Sequence, residues 1–290
     1  MKAKIWGMSL LAGLSIWLWG PSVAVGFQQT MTCTETGLYA CEPGEAALPV
    51  HWNTRCATYK MNEDGSENFT GSSDEVSNLE ELRRAVRASF GAWNAVECSD
   101  MTLIDGGLTS SNDTGFDSDS ENTNLVAWRD KGWGQVASSR AFALTSVTFN
   151  PRSGVIVDAD IEVNTEFYEY SASPEPQPNH VDLRNTMTHE VGHFIGLDHT
   201  DERAATMFST APVGETEKRT LHPDDIRGIC HTYPTSESSR AQCEGDVPDD
   251  VGDLEESTDA GCSSAGGSAP VTPALALLAL LGLGLTRREG

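Results

Sequence analysis

The chain has 290 residues, room for one substantial domain with appendages rather than two large ones. Asp and Glu number 43 against 19 Lys and Arg, a formal net charge of -24. No clusters of Lys or Arg are present to neutralise phosphates, which excludes a nucleic-acid partner, and the charge suits solubility in an exposed location.

Lys2 and Lys4 precede an apolar run from Ile5 to Trp19, followed by the small residues of "GPSVAVG". Residues 1–26 therefore read as a secretory signal, with cleavage after Ala24 or Gly26 fitting equally well. Export brings the chain into an oxidising space, and seven cysteines follow: Cys33, Cys41, Cys56, Cys98, Cys230, Cys243 and Cys262. None forms a Cys-x-x-Cys pair, so neither a cysteine zinc site nor a thioredoxin-type motif is supported. Proximity along the chain suggests disulfides Cys33 with Cys41, Cys56 with Cys98, and Cys230 with Cys243.

Residues 27–48 form a short lead, and "LPVHWNTRCATYKM" reads as a strand. A helix opens at Ser77, which has capping-box spacing to Glu80, and Leu79, Leu82, Val86, Phe90 and Trp93 recur at three and four residues as a core face. Residues 105–124, rich in Gly, Ser and acids, read as a loop. The segments "RAFALTSVTFN" and "VIVDADIEVN" flank the turn "PRSG" and read as a β-hairpin. In the second of these, Val155, Val157, Ala159, Ile161 and Val163 alternate with Asp158, Asp160, Glu162 and Asn164, the pattern of a half-buried strand.

The stretch "THEVGHFIGLDHT" (188–200) carries the chemistry, on a helix that Asp182 can cap. His189 and His193 are four apart and share a face, so both can offer nitrogens to one ion. Glu190 lies about 100° round and flanks that ion. His199 would point roughly 240° away from His193 if the helix continued, so the chain must break, and Gly196 can adopt the left-handed conformation that ends helices. Three neutral imidazoles leave a fourth position open on a tetrahedral zinc, the pattern of a catalytic site. A water there becomes acidic enough for Glu190 to take its proton; the resulting hydroxide attacks a peptide carbonyl, and Glu190 returns the proton to the leaving amine.

"HEVGHFIGLDH" resembles the metzincin zinc signature His-Glu-x-x-His-x-x-Gly-x-x-His at every fixed position. Thr200 follows where matrixins usually carry serine, "AATMFS" offers Met207 for the methionine turn, and "LHPDDIRGICHTYP" resembles the matrixin closing helix. The resemblance implies an α+β, zincin-like fold over about Pro49 to Pro234, with a twisted mixed sheet, an active-site helix, a second long helix and a C-terminal helix. It also implies an antiparallel edge strand that aligns substrate, and a substrate pocket walled by the segment after Met207, "FSTAPVGETEKRT". Zinc ligands would be His189, His193 and His199, with Glu190 as general base and acid. Chain and family pattern differ in three places. No cysteine-switch propeptide motif is present, although Cys33 or Cys41 could cap the zinc. No histidine lies between Trp93 and His180, so a second, structural zinc is not expected. Ser209 stands where related clans place a zinc-facing tyrosine. A rival zinc-peptidase arrangement would take its third ligand from Glu215 or Glu217.

Calcium is a second candidate ion, with Asp158, Asp160 and Glu162 along one strand face and further acids at 113–121, although no EF-hand spacing is present. His51, His180, His222 and His231 have no partner spacing and receive no role. Residues 235–260 read as an acidic flexible linker. The tail, 261–290, places Cys262 before an apolar run and Arg287-Arg288, and resembles myxobacterial-type (MYXO-CTERM) sorting tails. That resemblance makes Cys262 the processing point and implies attachment to a Gram-negative cell surface, with the export machinery and a sorting enzyme as partners. The combined expectation is an exported, monomeric zinc endopeptidase acting on proteins or peptides. The alternative is a non-catalytic, zinc-containing adhesion protein of the same fold.

Overall fold

The computed structural model describes residues 26–35, 40–71, 78–235 and 243–248, together with the backbone of 276–280. The signal segment, the Ser77 capping box and Cys262 lie outside them. In chain order the elements are β1 (Gln28–Gln29), β2 (Cys56–Asn62), β3 (Phe69–Thr70), α1 (Asn78–Asn94), β4 (Thr102–Thr109), β5 (Asn124–Trp128), β6 (Ala143–Phe149), β7 (Ile156–Val163), β8 (Tyr170–Ser171), β9 (Val181–Asp182), α2 (Leu183–Phe194), β10 (Leu197–Asp198), α3 (Pro223–Thr232) and β11 (Ala276–Leu280).

The main sheet has five strands in the order β4-β2-β5-β7-β6, and β11 runs antiparallel along the outer edge of β6. All neighbours among the five are parallel except β6 and β7, so the sheet is mixed, as expected of an α+β metzincin-like fold. The β6–β7 hairpin forms as its alternation predicts, with a register shift between Thr148 and Phe149. In α1, Leu82, Val86, Phe90 and Trp93 are almost wholly buried. Phe90 stacks on Tyr59 of β2 at 3.6 Å and meets Phe194 of α2 edge-on at 5.5 Å, locking both helices to the sheet.

Four expectations are corrected. The strand predicted to begin near Leu48 starts only at Cys56, because Pro49 and His51 are taken up in isolated bridges to Met31 and Val155. Residues 105–109, read as loop, complete β4. The disulfides are Cys33–Cys41, as expected, but Cys56–Cys243 and Cys98–Cys230, separated by 187 and 132 residues. Chain proximity misled because tertiary pairing brings Asp246 onto Asp105 and Pro234 onto Ser99, which carries Cys243 and Cys230 to their partners. Part of the linker is also fixed: Arg87 clasps both Asp105 and Asp246, and Asn94 donates to the Pro248 carbonyl.

The acidic face of β7 is covered as well. Asp158, Asp160 and Glu162 are at most 6% exposed. Asp160 accepts from the backbone N–H groups of Gly115 and Leu125 and pairs with Asp158, while Glu162 pairs with Arg129, whose guanidinium also reaches Thr114. Segment 111–124 thus folds over this face. Burial raises both aspartates, Asp158 to about 8, and their mutual repulsion adds to the Asp158 shift. A carboxyl raised on folding contributes stability at low pH that is lost as pH climbs from about 4, its unfolded value. Asp158→Asn, which keeps a donor toward Asp160, is therefore expected to leave the Tm unchanged near pH 4 and to raise it at pH 8 without added calcium. Calorimetry at the two pH values checks this, and an equal Tm at pH 8 contradicts it.

Candidate metal centre

Asp182 caps α2 by accepting from the Asn185 N–H at 2.7 Å, and Arg219 holds the same carboxylate from the far side. At the other end the helix stops where the sequence places its glycine. Gly196 has φ +88°, and a Cβ there would lie 2.3 Å from the Val50 carbonyl oxygen, so the turn requires glycine twice over. The last carbonyls of the helix region are satisfied by side chains: Trp52 Nε1 donates to Phe194 O at 2.9 Å and the Tyr233 hydroxyl to Ile195 O at 2.8 Å.

After the turn, β10 carries His199 back beneath α2. The three Nε2 atoms converge: His189 to His193 is 3.1 Å, and His199 is 3.2 Å from each. His189 Nδ1 lies 2.6 Å from Thr206 O, and His193 Nδ1 lies 2.8 Å from Leu197 O. A carbonyl can only accept, so these contacts put the proton on Nδ1 and leave the Nε2 lone pair facing inward. Burial and the neighbouring rings hold His189 and His193 well below their ordinary pKa, and burial lowers His199 against the pull of Asp198. The rings are neutral donors. A tetrahedral ion with nitrogen ligands at about 2.0–2.1 Å sets them roughly 3.3–3.4 Å apart, and the observed 3.1–3.2 Å separations fit zinc.

Among the described residues, these histidines are the one group of three or more His, Cys, Asp or Glu whose ligand atoms lie within 4.8 Å of one another. Asp158, Asp160 and Glu162 do not form such a group, so the calcium expectation gains no ligand set here. Cys33 and Cys41 are bonded to each other and cannot offer a thiolate to the site.

Glu190 is fully buried beside the triad. Its Oε2 accepts from the Thr145 hydroxyl of β6 at 2.5 Å, whereas Oε1 has no partner. Burial raises its carboxyl to about 8, against the Thr145 bond and the Lys218 charge. Met207 lies under the centre with its thioether against Gly192, between the two helical ligands. The turn that holds it is anchored from α3: Asp225 accepts from the N–H groups of Thr206 at 2.8 Å and Met207 at 3.0 Å. Thr200 adds a second tie, donating to Asp224 at 3.1 Å while its N–H reaches Met207 O at 3.0 Å.

From the sequence alone His222 receives no role. His222 in fact caps α3, completing a capping box with Asp225. Thr145, Asn185 and Lys218 were missed, since nothing in their local sequence marks them.

With this geometry established, comparison places the chain in a family. Residues 51–234 match the family Peptidase_M10, matrixin, and the chain belongs to it. Relatives include metalloendoproteinase 1-MMP of Arabidopsis thaliana, 25% identical over 63% of this chain and 44% of its own length. Metalloendoproteinase 2-MMP of the same plant is 27% identical over 67% and 45%, and human neutrophil collagenase 24% over 72% and 40%. The chain thus spans under half the length of these relatives.

Gly192 offers a direct test of the packing under the triad. A Cβ there would sit 2.2 Å from Met207 Sδ and 3.0 Å from Trp93 Cζ2. Gly192→Ala is expected to cost about 1–3 kcal/mol through overpacking and to weaken zinc retention, read by denaturant unfolding and dialysis against a chelator. Unchanged values for both would show that Met207 does not brace the centre.

Proposed function

We propose that this chain is a secreted or surface-attached, zinc-dependent endopeptidase that hydrolyses peptide bonds in proteins. The convergence of the three Nε2 atoms beside the unpartnered Oε1 of Glu190 carries the reading. His189, His193 and His199 would hold the zinc, which when bound supplies a Lewis acid for the scissile carbonyl and acidifies water.

The chain's own groups then do the following. Glu190 Oε1 takes a proton from the attacking water and later hands it to the leaving amine. Thr145 holds Oε2, which leaves Oε1 as the oxygen available for these transfers. The Thr206 and Leu197 carbonyls keep two ligand rings in the right tautomer. An extended substrate would pair along the outer edge of β6, gaining main-chain hydrogen bonds. Three disulfides accord with export, and attachment at Cys262 completes the proposal.

The test uses residues 27–262, which lack the strand that lies along that edge here. Casein or gelatin is expected to be cut, with loss on chelation and recovery with zinc. Glu190→Ala should lower kcat at least about a hundredfold while retaining the metal. A Glu190→Ala variant that still cuts overturns the mechanism. A wild type that cuts no peptide in a broad library favours the adhesion protein.

A further inference from the structure

The outer edge of β6, assigned above to substrate, is already taken. β6 gives its inner side to β7, and as the last strand of the five it would otherwise present a row of unpaired N–H and C=O groups. Its sequence, "ALTSVTF", has neither the charge nor the proline that commonly protects such an edge. The chain's own segment Ala276–Leu280 fills it. β11 runs antiparallel to β6 in unbroken register, from Ala276 opposite Thr148 to Leu280 opposite Leu144. The sequence of that segment, "ALLAL", is likewise free of charge and proline.

The register sets this contact at the metal centre and not at a remote end of the sheet. Ala279 stands opposite Thr145. The Thr145 hydroxyl is the group that donates to Glu190 Oε2 at 2.5 Å, and it also lies 3.2 Å from the Glu190 carbonyl oxygen. Paired strands lie about 4.7–4.9 Å apart, so the backbone of β11 passes one strand spacing from the residue that holds the general base.

The open side of a strand can pair with one neighbour at a time. β11 and an extended substrate running antiparallel along residues 144–148 therefore exclude each other. Attachment favours β11, because a competitor in the same chain acts at an effective concentration on the order of millimolar when its linker lets it reach the site. We propose that residues 276–280 are an intramolecular competitor that keeps the intact chain latent by occupying the substrate edge, and that loss of the segment opens that edge. The inference rests on the peptidase reading above. Such latency needs no cysteine on the metal, in keeping with the bond between Cys33 and Cys41.

The experiment compares the intact chain, residues 27–290, with Leu277→Pro/Leu278→Pro in the same chain. Successive N–H groups along a strand point to opposite sides, so one of the two prolines removes a hydrogen bond to β6. On a peptide substrate the variant is expected to show a KM at least tenfold lower at the same kcat. The peptide Ala-Leu-Leu-Ala-Leu, added to the variant, should raise its KM again and leave kcat alone. Hydrogen exchange needs neither metal nor substrate. It should show the N–H groups of residues 144–148 that face away from β7 protected in the intact chain and exchanging at least tenfold faster in the variant. Measured on the intact chain alone, it decides the matter if the variant fails to fold. Equal KM in the two chains, or edge N–H groups that exchange freely in the intact chain, overturns the inference while casein cleavage leaves the peptidase reading intact. A change in kcat with KM unmoved also overturns it, since competition acts on KM. Cleavage of nothing by either chain or by residues 27–262 overturns both.

Discussion

A continuing α-helix would carry residue i+6 roughly 240° away from residue i, so His199 can face His193 only because α2 ends between them. The left-handed turn at Gly196 does this, and the surrounding structure leaves no other choice. Val50 O occupies the space a Cβ would need, the Gly196 carbonyl takes the Thr30 N–H, and Trp52 and Tyr233 close the carbonyls before it. The N-terminal segment is thus part of the centre's foundation: β1 pairs with β10, the strand that delivers His199.

Around this turn, buried polar groups do the positioning that apolar packing cannot. Backbone carbonyls fix the tautomers of His189 and His193, Asp225 holds the methionine turn, and Thr145 fixes one oxygen of Glu190. Each such group would be expensive to bury alone and is tolerated because its partner is present. Oε1 of Glu190, next in sequence to His189, is one of the buried side-chain atoms among the described residues that lacks such a partner. In this view α3, the methionine turn and α2 form one hydrogen-bonded unit, with the sheet supplying the opposite wall through β6.

The legible parts of the sequence were those governed by local rules. Helix α2, its Asp182 cap and its glycine stop follow from spacing and backbone sterics, and the β6–β7 hairpin follows from period-two alternation around "PRSG". What escaped depends on contacts between distant segments. Cys56 could not be matched to Cys243 from the letters, because the match is made where residues 243–248 return to β4. The β7 acids looked half-solvated because alternation reports two faces and says nothing of a loop folding over one of them. Thr145 and Lys218 belong to no motif, yet both reach the centre, one from β6 and the other from the turn before α3.

The centre comes down to three imidazole lone pairs directed at one point. Elemental analysis of the purified mature protein, after dialysis against metal-free buffer, measures this directly. One zinc per chain is expected, falling to a small fraction in His199→Ala although that residue lies beyond the helix. A folded wild-type protein carrying no stoichiometric zinc, or a His199→Ala variant retaining a full equivalent, would contradict it.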